Sequence, residues 1–476
     1  MNTNLNKRGY SIIKGDISNE ELIDIKKTLT VRPFVNNNYG NKPKAFPVYC
    51  ESNKKLYLPR YYGQQKFGLS TTTKLNKSKE ININFPKSLK DKQIPIVDAY
   101  MKAAKSVGGG IISVPCGYGK TVIGLYIASA LKVKTLVVVH KEFLLNQWKE
   151  RIKEFLPDAK IGRLQSNVIH IKGYDIVIGM LQSISMIDYS EEVFEEFGLV
   201  IYDECHHLGA ETFSKALLKT GTQYTMGLSA TPKRLDGLSK VFEWYLGDIV
   251  YSIKKREEDD VNVKLIMYKN LAQEYSKEIL NFRKTPNSAK MINNICDFLP
   301  RTLTIIDNLI DCLKEGRKIL MLSDRRNHLN LLNELIPKLE GGKYTSGLYL
   351  GGMKEKDLQE TETKDVILGT FSMASEGFDC KYPLDTIFLM SPKSNIEQAV
   401  GRILRQEVKD RKFTPLIYDI CDEFSLFAKQ KLKRIAFYNK NNYKMKFYDN
   451  DKKEIDVFIP CKGKRKKKET ELEFLD

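Results

Sequence analysis

Runs of apolar residues along the chain alternate with segments in which apolar residues recur every three or four positions. In the first half, the apolar runs predict strands at residues 110–114, 135–140, 175–180, 199–202 and 224–229. Most positions in these runs are apolar, which is typical of strands buried on both faces of a parallel sheet. Residues 121–131 and 142–155 have the apolar spacing of helices that connect such strands.

The same alternation returns in the second half of the chain. Apolar runs there predict strands at residues 318–322, 345–350, 365–370, 386–390 and 415–419. Strands that alternate with helical segments indicate a parallel sheet whose crossover connections are helices. The pattern therefore predicts the α/β class, with two parallel-sheet domains in tandem.

The segments outside these regions differ in character. Residues 1–85 mix short apolar runs with Asn, Lys and Tyr, and predict a small N-terminal accessory domain. Residues 254–300 are highly charged and predict a connector or insertion. The expected parallel-sheet domains are therefore 86–253 and 301–440, and 441–476 is a C-terminal segment with a basic tail. Blocks of like charge repel, so we interpret the tail as solvated, with nucleic-acid tethering or nuclear targeting as alternatives.

Length and charge narrow the class of protein. A chain of 476 residues is too long for one hydrophobic core, which supports several domains. Lys and Arg outnumber Asp and Glu by 77 to 59, a net charge of +18 that favours a polyanionic partner such as nucleic acid. No run of about 18 apolar residues occurs and the N-terminus is polar, so we expect a soluble intracellular protein without a signal peptide or a membrane partner.

The eight cysteines are spread along the chain without a CxxC pair. This distribution argues against a zinc site and against a disulfide framework. We expect small buried thiols or loop thiols instead.

Residues 113–121 read Ser-Val-Pro-Cys-Gly-Tyr-Gly-Lys-Thr and lie between a predicted strand and a predicted helix. In this context a glycine-rich segment, here called the phosphate loop, binds phosphate through backbone amides. Gly117 and Gly119 would let the loop close around the phosphate oxygens. Lys120 would reach the β and γ phosphates of a nucleotide, and the Thr121 hydroxyl would bind Mg²⁺. A valine stands where the strict pattern has its first glycine, so an ordinary turn is the alternative.

Residues 199–207 read Leu-Val-Ile-Tyr-Asp-Glu-Cys-His-His and place two carboxylates at the end of a predicted strand. Asp203 could hold Mg²⁺, and Glu204 could orient and deprotonate an attacking water. A strand that ends in an acidic turn is the alternative, which the upstream loop disfavours. His206 and His207 could bind zinc, but no Cys or His at ligand spacing accompanies them, so a coupling or structural role is expected.

Four motifs, in this order, resemble those of superfamily 2 helicases of the DExH type, and the resemblance covers roughly residues 86–410. The phosphate loop resembles motif I, Asp-Glu-Cys-His at 203–206 motif II, and Ser-Ala-Thr at 229–231 motif III. The segment Gln-Ala-Val-Gly-Arg-Ile-Leu-Arg at 398–405 resembles motif VI, although a surface helix with ion-paired arginines is its structural alternative. The resemblance implies two tandem RecA-like domains that bind ATP and Mg²⁺ in a cleft between them.

The resemblance also implies roles for single residues in ATP binding and hydrolysis. The catalytic set is Lys120, Asp203, Glu204, Arg402 and Arg405, the two arginines acting as fingers on the transferring phosphoryl group. The ATP-binding set is Gln93, Pro115, Cys116, Gly117, Tyr118, Gly119, Lys120, Thr121, Gly377, Asp379 and Gln398. Thr121 and Asp203 would hold the metal.

Further positions match weaker motifs, each of which has a structural alternative. Coupling between the ATP site and the nucleic acid is expected from His206, Ser229 and Thr231. Contacts to the nucleic acid are expected from His140, Lys141, Gln182, Ser183, Arg325 and Thr370.

Two segments resemble the group that contains the XPB-type transcription and repair helicases and the poxvirus transcript-release helicases. They are residues 229–238 and the Leu-Pro-Arg-Tyr-Tyr-Gly segment at 58–63. We favour the viral branch, in which the protein would act in the host cytoplasm or be carried in the virion. XPB-type proteins have Arg-Glu-Asp where this chain has Arg-Leu-Asp at 234–236, which puts a strand-opening role for that element in doubt.

The sequence therefore predicts an ATP-dependent helicase or translocase acting on nucleic acid, with DNA favoured, in transcription or transcript release. The transcription machinery is a further candidate partner. An RNA helicase is the first alternative, because these motifs contact mainly the sugar-phosphate backbone. A non-enzymatic nucleic-acid scaffold with a degenerate ATP site is the second, and the intact set of charged motif residues disfavours it.

Overall fold

The computed structural model describes residues 2–34, 43–75, 78–115, 117–209, 211–230, 234, 236–253, 260–375, 378, 380, 382–406 and 408–457. Their contacts form two compact units. The first is drawn from residues 1–259, 372–383 and 397–411, and the second from 260–371, 384–396 and 412–476. Within the described part of the chain, no helix is long and apolar enough to cross a membrane.

The N-terminal lobe, residues 1–85, is built on a small mixed sheet. Its strands are β1 Asn4–Asn6, β2 Gly9–Ile13, β3 Thr30–Val31, β4 Phe46–Pro47, β5 Cys50–Glu51, β6 Lys55–Leu58 and β7 Thr72–Thr73, and its helices are α1 Asn19–Thr28 and α2 Arg60–Phe67. The sheet order is β5-β6-β2-β1-β7, with β3 and β4 paired separately. Ser18 caps α1 by accepting a hydrogen bond from the Glu21 amide at 3.1 Å, which satisfies one of the free amides at the helix start.

The lobe shares its core with the α/β part of the first unit. Arg60 donates hydrogen bonds to the carbonyls of Gln223 at 2.8 Å and Val107 at 2.9 Å, and the Tyr61 hydroxyl lies 2.7 Å from Thr225 Oγ1. The expected boundary at residue 85 therefore falls inside one compact unit. The Leu-Pro-Arg-Tyr-Tyr-Gly segment fastens the lobe because its arginine satisfies backbone carbonyls of its neighbour.

The rest of the first unit is a largely parallel sheet covered by helices. The strands are β8 Gly109–Ser113, β9 Thr135–Val139, β10 Ile161–Gln165, β11 Val168–Ile169, β12 Ile176–Met180, β13 Leu199–Asp203, β14 Tyr224–Ser229 and β15 Ile249–Ser252. The helices are α3 Ile94–Ser106, α4 Lys120–Leu131, α5 Glu142–Phe155, α6 Leu181–Met186, α7 Glu211–Lys219 and α8 Ser239–Leu246. The order is β11-β10-β12-β9-β13-β14-β8-β15, with all pairs parallel except β10 with β11.

Every position of β8, β9 and β12 is buried, as the continuous apolar runs predict for a sheet covered on both faces. The five strands and two helices predicted for this region are confirmed to within one residue at each end. Parallel strands bring their carboxyl ends to one edge of the sheet, and the loops that follow β8, β9, β13 and β14 carry the motif residues.

The second unit is a parallel sheet in the order β18-β19-β17-β20-β21-β16-β22. Its strands are β16 Asn262–Tyr268, β17 Ile319–Leu322, β18 Ser346–Tyr349, β19 Val366–Gly369, β20 Thr386–Leu389, β21 Leu416–Asp422 and β22 Lys444–Tyr448. Helices in this part of the chain are α9 Gln273–Ser276, α10 Ser288–Asp297, α11 Leu299–Lys314, α12 Arg326–Leu335, α13 Glu355–Thr363, α14 Phe371–Ser375, α15 Glu397–Val400 and α16 Ser425–Lys440. The five strands predicted here are confirmed, with β21 extending three residues farther than expected.

Two expected boundaries differ from the observed units. The segment 254–300, expected as a connector, contributes β16, which pairs with β21 and β22 inside the second sheet. It also contributes α10, whose Met291 and Ile295 are fully buried. The charged residues of this segment hide its pattern, because Lys264 and Asn262 interrupt the apolar run of β16. Residues 444–448, expected in a C-terminal segment, form the edge strand β22.

Candidate active site

The phosphate loop connects β8 to α4. Gly117 and Gly119 have φ values of +89° and +76°, a region that costs a residue with a Cβ roughly 1–2 kcal/mol. A Cβ on Gly119 would also lie 2.5 Å from Gln93 Nε2. The chain then enters α4 at Lys120, so the positive end of the helix dipole lies beside the loop. Cys116 lies outside the described residues.

The Gln93 side chain forms a hydrogen bond with the phosphate loop. Its Nε2 donates to the Tyr118 carbonyl at 3.0 Å, and its Oε1 accepts from the Lys90 amide at 3.0 Å. The side chain is buried, so both ends of its amide are held in one orientation. Gln93, which is predicted to bind ATP, thus contacts the phosphate loop.

The acidic pair follows directly from β13. Asp203 Oδ1 accepts from the Glu204 amide at 3.0 Å, and Asp203 Oδ2 accepts from Trp148 Nε1 at 2.8 Å. Glu204 has a φ of +48°, a strained conformation for a residue with a side chain, of the kind that collects at functional sites. Its Oε1 lies 3.7 Å from Lys120 Nζ, so the structure brings the loop lysine and the predicted general base together.

The surroundings shift the pKa values of Asp203 and Glu204 in opposite directions. Burial raises the pKa of Asp203, and the neighbouring negative charge of Glu204 raises it further. Burial also acts to raise the pKa of Glu204, but the charges of Lys120 and His206 outweigh it and the pKa is lowered. Glu204 is therefore held ionised, the state that a general base needs.

Histidines link motif II to its neighbours. His206 Nδ1 lies 3.0 Å from Ser229 Oγ at the end of β14 and 3.4 Å from Glu204 Oε2. The His207 ring packs between the rings of His206 and His140, with centroid distances of 4.4 Å and 4.1 Å and the planes tilted by 34° and 33°. The predicted coupling residues His206 and Ser229 are thus in contact, and the row of rings extends to His140, which follows β9. Thr231 lies outside the described residues.

Arg234 of the Arg-Leu-Asp segment contacts both Asp236 and motif II. Arg234 Nε donates to Asp236 Oδ1 at 2.9 Å, and the guanidinium also donates to the His206 carbonyl. The hydrogen bond from Arg234 lowers the pKa of Asp236, so the pair is ionised. Leu235 lies outside the described residues.

The predicted nucleic-acid contacts of the first unit gather where β9 and β12 end. Gln182 Nε2 donates to the His140 carbonyl at 2.6 Å, and Ser183 Oγ accepts from the Ser166 amide at 3.0 Å. Lys141 is the residue that precedes α5. The first of these bonds joins Gln182 to His140, two of the predicted nucleic-acid contacts.

In the second unit, Arg325 precedes α12 and donates to the Ala289 carbonyl at 2.7 Å and to the Asn293 side chain, both on α10. Thr370 directly follows β19. Arg325 therefore fixes α10, and its predicted contact to nucleic acid stays a prediction.

The motif VI arginines donate hydrogen bonds to the backbone carbonyls of Ala374 and Phe378. Arg402 Nε donates to the Ala374 carbonyl at 2.6 Å and Nη1 to the Phe378 carbonyl at 2.9 Å, and Arg405 Nη2 donates to Phe378 at 2.6 Å. Arg402 is buried and Gln398, on α15, is half-buried. These residues cluster with the first unit, which also holds the phosphate loop. Gly377 and Asp379 lie outside the described residues.

Thr121 and Asp203 offer oxygen ligands, the type that Mg²⁺ prefers. Among the described residues no group of three or more His, Cys, Asp or Glu could hold a metal by itself. Mg²⁺ usually takes few protein ligands and completes its shell with water and phosphate oxygens, so this donor set fits the ion. Sequence reasoning missed Trp148 as part of the site, because nothing in the local pattern of α5 shows that its indole reaches Asp203.

Comparison with known proteins finds related sequences and similar solved structures. The family model described as "Type III restriction enzyme, res subunit" matches residues 86–234. "Putative ATP-dependent RNA helicase L396" of Acanthamoeba polyphaga mimivirus is 35% identical over 456 residues, which cover 94% of this chain and 87% of that protein. "DNA 3'-5' translocase XPB2" of Sulfurisphaera tokodaii is 36% identical over 181 residues, 38% of this chain and 39% of that protein. The solved structure of T4 UvsW aligns over 94% of this chain and 100% of that chain, at 18% identity and a TM-score of 0.36.

Two parallel-sheet units, a phosphate loop and the motif order define an ATP-hydrolysing enzyme of the helicase class. The chain belongs to the superfamily 2 helicases, in the XPB-like group. Membership of this enzyme family argues against the non-enzymatic scaffold, the second alternative raised by the sequence.

Proposed function

We propose that the chain is a nucleic-acid-stimulated ATPase motor whose hydrolytic centre is formed by Lys120, Asp203 and Glu204. The observation that carries this proposal is the approach of Lys120 Nζ to Glu204 Oε1 beside a loop that requires glycine. Without a phosphate, the two charges compensate each other. With a triphosphate in the loop, Lys120 would turn to the β and γ phosphates and release Glu204 to hold the attacking water.

Each remaining residue has a defined task in this proposal. Thr121 and Asp203 hold Mg²⁺, which when bound neutralises charge developing on the phosphate oxygens. Arg402 and Arg405 stabilise the charge of the transferring phosphoryl group. His206 contacts both Ser229 of motif III and Glu204, so a movement of Ser229 would shift His206 and with it the Glu204 carboxylate.

For the substrate we propose DNA, with a role in viral transcription or transcript release alongside the transcription machinery. The net charge of +18 favours binding to a polyanion such as nucleic acid, and the XPB2 relative is named as a DNA translocase. RNA is the second candidate, because the mimivirus relative, which matches most of this chain, is named as an RNA helicase. Given viral relatives, the proposed place of action is the host cytoplasm.

ATP turnover measured without nucleic acid and with single-stranded DNA, duplex DNA or RNA tests both parts of the proposal. We expect DNA to raise kcat more than RNA does at equal nucleotide concentration. Stimulation by RNA alone would reverse the choice of substrate, and equal turnover with and without every nucleic acid would contradict a motor.

Lys120→Ala tests the hydrolytic centre itself. We expect stimulated turnover to fall at least 100-fold, because the lysine stabilises charge on the phosphates, an effect typically worth about 10²–10³ in rate. Lys132→Ala, at the end of the same helix, is the matched control and should keep wild-type turnover. Undiminished turnover in Lys120→Ala would show that Lys120 does not act on the phosphates and would contradict the proposed hydrolytic centre.

A further inference from the structure

Trp148 lies between the helix of the phosphate loop and the strand of the acidic pair. Its side chain is fully buried, and its Nε1 donates to Asp203 Oδ2 at 2.8 Å. The opposite edge of the indole approaches α4, where a Cβ built on Gly124 would lie 3.3 Å from Trp148 Cη2. The indole therefore contacts the elements that carry both predicted Mg²⁺ ligands, Thr121 and Asp203.

The packing around the indole also explains an otherwise unfavourable residue. Glycine inside a helix costs about 0.5–1 kcal/mol relative to alanine. Gly124 is fully inside α4 and is buried. A side chain there would press on the indole and on Ile201 Cδ1, which lies 3.5 Å from the same Cβ position. Gly124 therefore leaves space on α4 for the Trp148 indole, which a larger residue would displace.

The hydrogen bonds to Asp203 leave its carboxylate little freedom to rotate. One oxygen is held by the Glu204 amide at 3.0 Å and the other by the indole, from opposite ends of the group. Each oxygen accepts one protein hydrogen bond and keeps a lone pair for a cation or for a water bound to it. Mg²⁺ demands near-ideal octahedral geometry, so a carboxylate with a fixed plane binds it better than a rotating one.

We propose that Trp148 is a positioning residue that orients Asp203 for Mg²⁺ and so sets the contribution of the metal to nucleotide binding. The inference rests on the proposed role of Asp203 as a metal ligand. The Trp148 side chain is fully buried. It acts through Asp203, and its ring holds α4 and β13 at a fixed separation.

The helix that carries the indole gives the arrangement a second consequence. Trp148 lies on α5, which begins directly after Lys141, a predicted nucleic-acid contact. A shift of α5 when nucleic acid binds would move the indole and with it the Asp203 carboxylate. The affinity for Mg²⁺ would then depend on bound nucleic acid, through the hydrogen bond from Trp148 to Asp203.

Trp148→Phe removes the N–H donor and keeps an aromatic ring, although the phenyl ring is smaller than the indole. The measurement is the affinity of a fluorescent ADP analogue, first in EDTA and then in Mg²⁺, for the full chain. We expect affinity in EDTA to match wild type, because the loop and Lys120 are intact. The gain in affinity on adding Mg²⁺ should fall by about tenfold, as expected for a lost hydrogen bond to a charged group.

Trp244→Phe is the matched control, because the chain has two tryptophans and Trp244 lies on α8 against Tyr62, with ring centroids 5.6 Å apart. It should keep the full Mg²⁺-dependent gain. A wild-type gain in Trp148→Phe would overturn the proposal. An equal loss of affinity in EDTA and in Mg²⁺ would also overturn it, because that result indicates a structural role only.

A second measurement does not depend on the folding of Trp148→Phe. In Trp244→Phe, Trp148 is the sole source of indole fluorescence, and Mn²⁺ is a paramagnetic quencher that takes magnesium sites. Mn²⁺ with ADP should quench the emission strongly where Mg²⁺ with ADP does not, and equal emission would overturn the proposal. A chain that shows the Mg²⁺-dependent gain but no stimulation by nucleic acid would refute the proposed motor and leave this inference standing.

Discussion

The strain at Glu204 is the feature of single residues with the clearest functional meaning. Its φ of +48° turns the backbone directly after β13, and its carboxylate is held between Lys120 and His206. A non-glycine residue in this conformation costs of order 1–3 kcal/mol and persists only where its surroundings enforce it. The charge of Lys120 lies beside the carboxylate, and the pKa of Glu204 is lowered.

We expect Glu204→Gln to lower kcat for ATP by about 10²–10⁴-fold, the usual contribution of a general base. Nucleotide affinity should change little, because the amide keeps the size of the side chain and the loop is untouched. Steady-state turnover and equilibrium binding of a fluorescent nucleotide check the two parts. Glu192→Gln, an exposed change in the same unit, serves as control. Turnover of Glu204→Gln within a factor of three of wild type would rule out the role.

At the scale of elements, β21 carries buried ion pairs at two of its positions. Asp422 accepts from Arg301 of α11 at 2.7 Å and 2.8 Å, and both side chains are fully buried. Asp419 accepts from Arg434 of α16 at 2.8 Å. These pairs fasten α11 and α16 to the sheet with a directionality that apolar contacts lack.

Asp422→Asn should destabilise the second unit, because it leaves the Arg301 guanidinium buried without a counter-charge. The loss expected on breaking a buried pair is about 3–5 kcal/mol in the free energy of unfolding. Urea unfolding followed by circular dichroism measures it. Asp260→Asn breaks the exposed pair with Lys444 and should cost no more than about 1 kcal/mol. Equal stabilities of the two variants would mean that the buried pair adds nothing specific.

At the scale of the whole molecule, the excess of positive charge governs association with a polyanion. A protein that neutralises several phosphates releases counterions, so its affinity falls steeply with salt. The net charge of +18 is a property of the complete sequence and does not identify the face that binds.

We expect the dissociation constant for nucleic acid to rise by about 10³-fold or more between 50 and 200 mM salt, the effect of roughly six or more phosphate contacts. Fluorescence anisotropy with a labelled oligonucleotide measures this slope. Turnover of ATP without nucleic acid should change far less over the same range, because the Lys120 and Glu204 side chains are only 12% and 13% exposed and salt screens partly buried charges weakly. A flat salt dependence would show that binding is not dominated by phosphates.

The sequence alone determined the features that are local in the chain. Apolar runs specified ten strands of the two sheets, five in each, because strands covered on both faces are rich in apolar residues. The glycines at 117 and 119 indicated the phosphate loop, because only glycine takes those φ values at low cost. The strands hidden from this reasoning were β10, β11 and β15 of the first sheet and β16 and β22 of the second, where short length, partial exposure or charged residues weaken the pattern.

Tertiary structure decided which distant residues meet. Trp148 and Asp203 are 55 positions apart and share a hydrogen bond, and Gln93 reaches Tyr118 across 25 positions. It also decided that the N-terminal lobe shares a core with the first sheet instead of standing apart. Such contacts depend on how helices pack across a sheet, and a pattern of neighbouring residues carries information about burial but none about which buried side chain lies opposite.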